Sequence, residues 1–376
     1  MTDRDCCVEP QTGLSALKPY VPGTPIEEVQ REYGLEDVIK LASNENPLGP
    51  SPKAVEAIRQ ALPKLNLYPD GQSYTLRQAL ADFLGVGPDL VTVGNGADGI
   101  IMQTCMAYLD EGDEVIVSAS SFPVYDIYTH VMRAELVKTP LTKDYRLDLD
   151  AMAEAITPET KLIFVCNPNN PTGTIVTATE VTALMERVPD DVLVIFDEAY
   201  YELVGAGDRR HPEDYPQTLD YVHQGRCNVL IMRTFSKVFG LAGVRLGYAI
   251  AVPEVLAPLN RVKEPFAVNL LAQAAGVAAL DDMDFLRKTV EATQRERDFL
   301  FQQFEALGLE PIRSHTNFML VKIGPEACSV QEALVRRGVI LRPCTGYDLP
   351  SFLRVTVGSR EQNERLLAAL KDLLGR

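Results

Sequence analysis

Four short, β-branched and almost wholly apolar runs recur through the first two thirds of the chain: Glu114–Val117, Lys161–Cys166, Val192–Phe196 and Asn228–Met232. Strands buried on both faces read this way, whereas strands with one wet face alternate apolar and polar residues. Helical patterns lie around them, at Pro52–Leu62, Tyr74–Leu84 and Gly99–Leu109, with one further short strand at Leu90–Val93. Strands alternating with helices imply a mostly parallel sheet joined by crossovers. After them come two long helical stretches, Leu270–Leu280 and Phe285–Leu307. Three more strand-like runs, Asn317–Val321, Val339–Arg342 and Phe352–Val357, lead to a closing helix at Gln362–Leu374. The expected fold class is therefore α/β: a large domain with a mostly parallel sheet flanked by helices, plus a smaller C-terminal α/β domain. The expected divisions are an N-terminal arm at 1–35, which holds the proline- and glycine-rich Pro19–Pro25, a large domain at 36–265 and a small one at 266–376.

A length of 376 residues is enough for two such units, each with its own core. The formal charge of −16 argues against nucleic acid or an anionic membrane as partner, because both demand a basic surface. Seven cysteines, odd in number and scattered, show neither a disulfide framework nor the spacing of a zinc site. The N-terminus lacks a basic segment followed by an apolar one, and no apolar run approaches the roughly 18 residues of a membrane span. A reduced cytoplasm is the expected compartment.

In open α/β sheets, ligands sit beyond the carboxyl ends of the strands. Four candidate motifs fall there. Val91-Thr-Val-Gly-Asn-Gly-Ala-Asp-Gly99 ends a strand and opens a helix, so the amides of Gly96, Ala97 and Asp98 are placed to hold one phosphate group. Its formal match to a dinucleotide fingerprint is weak, since the following strand ends in Ser-Ala-Ser-Ser and not in a ribose-binding acid. Asn170 follows the second strand in Asn167-Pro-Asn-Asn-Pro-Thr-Gly173, and Asp197 follows the third in Asp197-Glu-Ala-Tyr200. Lys237 follows the fourth, in Arg233-Thr-Phe-Ser-Lys-Val-Phe-Gly240, with Arg245 eight residues on.

An amine flanked by hydroxyls and an arginine suits an aldehyde cofactor bearing a phosphate. An acid can hold a ring nitrogen protonated, and Asn170 and Tyr200 can bond a ring oxygen. Those are the needs of pyridoxal phosphate. Thr234 and Ser236 can donate to the phosphate, with Arg245 supplying positive charge in a fixed fork. Asp197 beside Glu198 keeps a metal reading open, and Tyr125 is either a ring stacked on the cofactor or a core tyrosine. Near the C-terminus, Arg342 and Arg354 each sit beside a strand and can converge on an anionic substrate tail.

These motifs resemble the fold-type I pyridoxal-phosphate aminotransferases, and more closely the histidinol-phosphate aminotransferase family. The resemblance extends to Pro19-Tyr-Val-Pro-Gly-Thr-Pro25, Lys40-Leu-Ala-Ser-Asn-Glu-Asn-Pro47, Leu67-Tyr-Pro-Asp70, Gly346-Tyr-Asp-Leu-Pro350 and Leu353-Arg-Val-Thr-Val-Gly358. It implies that Lys237 is the cofactor-bound lysine and Asp197 the ring-nitrogen acid, with Asn170 and Tyr200 as ring-oxygen donors and Tyr125 as the stacking ring. Gly96, Ala97, Asp98, Thr234, Ser236 and Arg245 would form the phosphate cup. Tyr68 would reach the phosphate of a neighbouring subunit, which implies a homodimer, and Tyr20, Asn46, Arg342 and Arg354 would contact substrate. No metal is implied. The implied reaction moves an amino group from L-histidinol phosphate to 2-oxoglutarate, in histidine biosynthesis. An aromatic aminotransferase and a threonine-phosphate decarboxylase would use the same cofactor pocket.

Overall fold

The computed structural model describes residues 23–204 and 214–375, together with 11, 13, 14, 17 and 212. Its strands are β1 (Ile39–Lys40), β2 (Val91–Asn95), β3 (Glu114–Ser118), β4 (Glu135–Thr139), β5 (Thr160–Cys166), β6 (Leu193–Asp197), β7 (Val229–Thr234), β8 (Leu246–Ile250), β9 (Glu310–Pro311), β10 (Phe318–Lys322), β11 (Val339–Ile340), β12 (Arg342–Pro343) and β13 (Phe352–Thr356).

Seven of them make the main sheet in the order β2-β8-β7-β6-β5-β3-β4. All neighbours are parallel except the two pairs made by β8, which runs against β7 and β2. The central strands β6 and β7 are buried at every residue, which is why they read as unbroken apolar runs. Val194, Phe196 and Ile231 point into one core layer and Ile195, Leu230 and Met232 into the other, as a residue period of two requires.

The expected boundary after 265 precedes the helix Leu270–Leu280, whose buried Ala272, Ala275 and Ala279 belong to the large core. At Gly276 an added Cβ would lie 2.6 Å from Leu246 and 2.8 Å from Leu76, so small residues set how closely this helix approaches. The next helix, Met283–Ala306, is common to both units: Leu286 and Val290 join the large core, Leu300 and Phe304 the small one.

The smaller unit is an antiparallel sheet ordered β12-β13-β10-β9, covered by the helix Arg360–Leu374. Part of the expected N-terminal arm is built into it. The helix Ile26–Tyr33 packs through Val29 beside Val335 and Ile340, and β1 pairs in parallel with β11. Among the described residues, no helix is long and apolar enough to cross a membrane.

Candidate active site

The main sheet delivers its functional residues to one end, where a cavity of about 260 Å³ opens between the two units. Ala97, Asp98, Asn170, Asp197, Tyr200, Thr234, Ser236, Lys237 and Arg245 line it from the large unit, and Arg342 and Arg354 from the small one.

At one side β2 runs into the helix Gly96–Tyr108. Its N-cap, Asn95, makes no side-chain capping bond, so the first amides have no partner from the cap and suit an anion. Gly96 has φ +74°, in the left-handed region, and an added Cβ there would lie 2.6 Å from Arg245 Nη2. Gly247 of β8 is as tightly placed, with an added Cβ 2.5 Å from the Ala97 nitrogen. Arg245 is also left-handed, with φ 59°, and its Nη2 pairs with Asp98 Oδ2 at 3.0 Å. Thr234 and Ser236 share a hydroxyl contact of 3.1 Å at the end of β7.

Lys237 faces the cavity beside the Tyr200 ring, its Nζ 5.6 Å from the ring centroid. Burial, then the Arg354 and Arg245 charges, pull its amine down from 10.5 to about 8. Asp197 is only 3% exposed, and burial pushes its carboxyl up to about 6. Its Oδ1 accepts from the Ala199 nitrogen at 3.1 Å, and Oδ2 accepts from the Tyr125 hydroxyl. Glu198 turns elsewhere: it pairs with the buried Arg233 at 2.8 Å and accepts from Thr218 at 2.5 Å, so it supplies no second metal ligand beside Asp197.

On the far side, Arg342 and Arg354 are direct partners across β12 and β13, which puts both side chains on one face. Arg354 is buried. It donates from Nη1 to Asn170 Oδ1 at 2.6 Å and to the Tyr347 hydroxyl at 3.2 Å, and from Nη2 to the Ala42 carbonyl at 2.7 Å. Because Arg354 occupies the Asn170 oxygen, the amide's NH₂ is the end left for the cavity.

Two expected site residues lie elsewhere. Tyr125 is fully buried behind Asp197, its ring stacked on Phe164 at 4.4 Å, and does not face the cavity. Phe122, three residues earlier, lines the cavity instead. Asn46 also misses it: Nδ2 donates to the Val238 carbonyl at 3.0 Å and Oδ1 accepts from the Leu48 nitrogen at 3.0 Å, bracing a turn. Asn44, two residues before it, lines the cavity and donates to the Tyr200 hydroxyl at 2.9 Å. Phe122, Asn44 and Tyr347 were not singled out from sequence, although Asn44 and Tyr347 lie inside motifs that were and Phe122 stands three residues before Tyr125. Tyr68 is 82% exposed and outside the cavity, stacked on Phe266 at 4.5 Å. Tyr20 lies outside the described residues.

An amine of lowered basicity, a buried acid, amide and phenol donors and an anion cup share one cavity. That set fits pyridoxal phosphate: the cup suits its phosphate, and Asp197 a protonated ring nitrogen.

The family model for aminotransferase class I and II matches residues 36–370. Histidinol-phosphate aminotransferase of Moorella thermoacetica is 50% identical over 96% of this chain and 92% of its own length. That of Symbiobacterium thermophilum is 46% identical over 97% and 98%. Among solved structures, histidinol-phosphate aminotransferase from Sinorhizobium meliloti in complex with pyridoxal-5'-phosphate superposes with a TM-score of 0.88 at 29% identity, covering 99% of each chain. A single mutant of Thermus thermophilus aspartate aminotransferase gives 0.82 at 25%, covering 97% of this chain and 100% of its own. Shared sequence and fold agree: the chain belongs to the class I and II aminotransferases and groups with the histidinol-phosphate aminotransferases.

Proposed function

We propose that this protein is a pyridoxal-phosphate-dependent transaminase that moves the amino group of L-histidinol phosphate to 2-oxoglutarate, yielding imidazole acetol phosphate and L-glutamate. The observation that carries the substrate reading is the cross-strand arginine pair, Arg342 and Arg354, at the cavity wall formed by the small unit. Two planar forks suit a phosphate monoester, and one of them suffices for a carboxylate.

When bound, pyridoxal phosphate supplies an electron sink for the substrate carbon. Lys237 has an amine that loses its proton near neutrality, so Nζ serves as nucleophile and then as the base that moves a proton. Asp197, as a carboxylate, holds a proton at the ring nitrogen. Tyr200 keeps its phenolic proton, because burial pushes its pKa well up, and so remains a donor toward a ring oxygen. Asn170 donates beside it, oriented by Arg354. Phe122 offers an aromatic face, and Thr234, Ser236, Arg245 and the amides from Gly96 to Asp98 hold the phosphate. Tyr20 is a further substrate contact in this reading, on the strength of the sequence motif.

The enzyme acts as a homodimer in the cytoplasm. The exposed Leu62, Leu65, Leu67 and Tyr68 form an apolar stretch suited to cover by a second copy, with Tyr68 reaching the neighbour's cofactor phosphate.

The test is a donor panel with 2-oxoglutarate: L-histidinol phosphate, phenylalanine and threonine phosphate. The expected order puts histidinol phosphate first in kcat/KM. A preference for phenylalanine assigns an aromatic aminotransferase, and CO₂ release from threonine phosphate a decarboxylase. Arg342→Ala should cost the phosphate donor about 2–3 kcal/mol in kcat/KM, the scale of a lost charge-assisted bond, and phenylalanine much less.

A further inference from the structure

Asp197 has two supports, and they come from opposite directions. The Ala199 amide meets Oδ1 from its own loop, and the Tyr125 hydroxyl meets Oδ2 from the helix Val124–Val131. That helix follows β3 and presents two rings one turn apart. Phe122, just before it, lines the cavity, while Tyr125 passes behind the acid. The two rings meet edge to face at 5.7 Å, and Phe164 of β5 stacks beneath Tyr125 at 4.4 Å. Thr129 Oγ1 also bonds the Tyr125 carbonyl at 2.8 Å. A side chain so enclosed has one place for its hydroxyl.

We propose that Tyr125 is a positioning residue for the aminotransferase reaction: its hydroxyl fixes the Asp197 carboxylate in orientation and keeps it ionised. Burial and the Asp197 charge hold the Tyr125 phenol well above its usual range, so it only donates. A donor to the ionised carboxylate, absent from the unfolded chain, offsets part of the cost of burying that charge. The other ionisable groups around Asp197 leave this task to Tyr125. The Cys166 thiol, beside it on β5, stays neutral through burial; Asp98 is paired with Arg245 and Glu198 with Arg233.

The role toward the ring nitrogen rests on the cofactor assignment, but the hydrogen bond is testable without cofactor. Full-length wild type, Tyr125→Phe, Asp197→Asn and the double variant are stripped of cofactor and melted between pH 5 and pH 8. The Tm loss caused by Tyr125→Phe should be small at pH 5, where Asp197 carries a proton, and grow to several degrees by pH 8. In the Asp197→Asn background that growth should vanish. Titration with pyridoxal phosphate at pH 8 should then show affinity weakened about tenfold by Tyr125→Phe, and by much less when Asp197 is already Asn. If Tyr125→Phe does not fold alone, recovery of folding in the double variant supports the same conclusion. A Tm loss equal at both pH values, or unchanged by Asp197→Asn, makes Tyr125 a packing residue and overturns the proposal. Loss of the stability effect sinks the positioning role, whereas intact stability coupling with unaltered pyridoxal phosphate affinity keeps the hydrogen bond but overturns its role toward the ring nitrogen.

Discussion

At the scale of single residues, the cavity holds two groups whose charge states oppose burial. Asp197 has its carboxyl raised from 3.8 to about 6, so the folded state binds the proton more tightly than the unfolded state does. Stability from this group is full below the unfolded value and is lost as pH rises through about 6, a loss of roughly 3 kcal/mol. Lys237 runs the other way: its folded value is lowered, so stability is lost as pH falls from 10.5 through about 8. Between pH 6 and 8 the cofactor-free protein carries both costs. Differential scanning calorimetry should find that pyridoxal phosphate raises Tm most in that window. A cofactor effect that is flat with pH would contradict the two shifts. Lys237→Ala should abolish turnover while the protein still takes up cofactor without a covalent bond, seen as cofactor that passes into filtrate after denaturation without hydride reduction having trapped it. The lysine, the acid, Asn170 and Tyr200 were legible in the sequence because their chemistry and their place at strand ends coincide. Tyr125 and Asn46 were not. In Phe122-Pro-Val-Tyr125 and Asn44-Glu-Asn46, two similar residues lie a few positions apart, and only backbone direction decides which one meets the cavity.

Among the elements, β8 shows what the linear pattern conceals. Its residues Leu246–Ile250 follow directly on Arg245, in a stretch that reads as cofactor chemistry and hides a strand. β4 was also missed: as an edge strand, paired only with β3, it has exposed positions and lacks the apolar signature of its neighbours. The central strands and most helices were legible because burial on both faces, or on one, writes a period into the sequence. The antiparallel β8 also carries Gly247 into contact with the phosphate cup. Gly247→Ala would push its Cβ against the Ala97 amide and displace the cup. The expected result is cofactor affinity weakened at least tenfold with little loss of secondary structure, measured by equilibrium titration with pyridoxal phosphate and by circular dichroism. Unchanged affinity would mean that the cup relaxes without cost.

For the whole molecule, the sequence conveyed two units in the right order but not how they interleave. Composition and periodicity carry no signal that β1 would pair with β11, some 300 residues away, because two-residue strands have no period to read. The assembly is tested by subunit mixing. Tyr68→Phe should weaken cofactor holding by about 1.5–3 kcal/mol, the scale of a hydrogen bond to a charged group. Chains carrying Tyr68→Phe mixed with chains carrying Lys237→Ala should regain activity, since each mixed dimer rebuilds one complete site. Absence of recovery in verified mixed dimers would assign Tyr68 to its own subunit.

The path of the chain between the units has a mechanical consequence. It leaves the small unit after β1, enters the large one through residues 43–51, and returns along the 24-residue helix Met283–Ala306, whose ends are anchored in different cores. One covalent leash would let two bodies swivel freely. Two leashes, one of them a rod about 36 Å long by its rise per residue, oppose twist between the units. Arg354, bonded to Asn170 of the large unit, and Arg342 beside it thus face Lys237 across the cavity from a small unit that is tied down at two separate points.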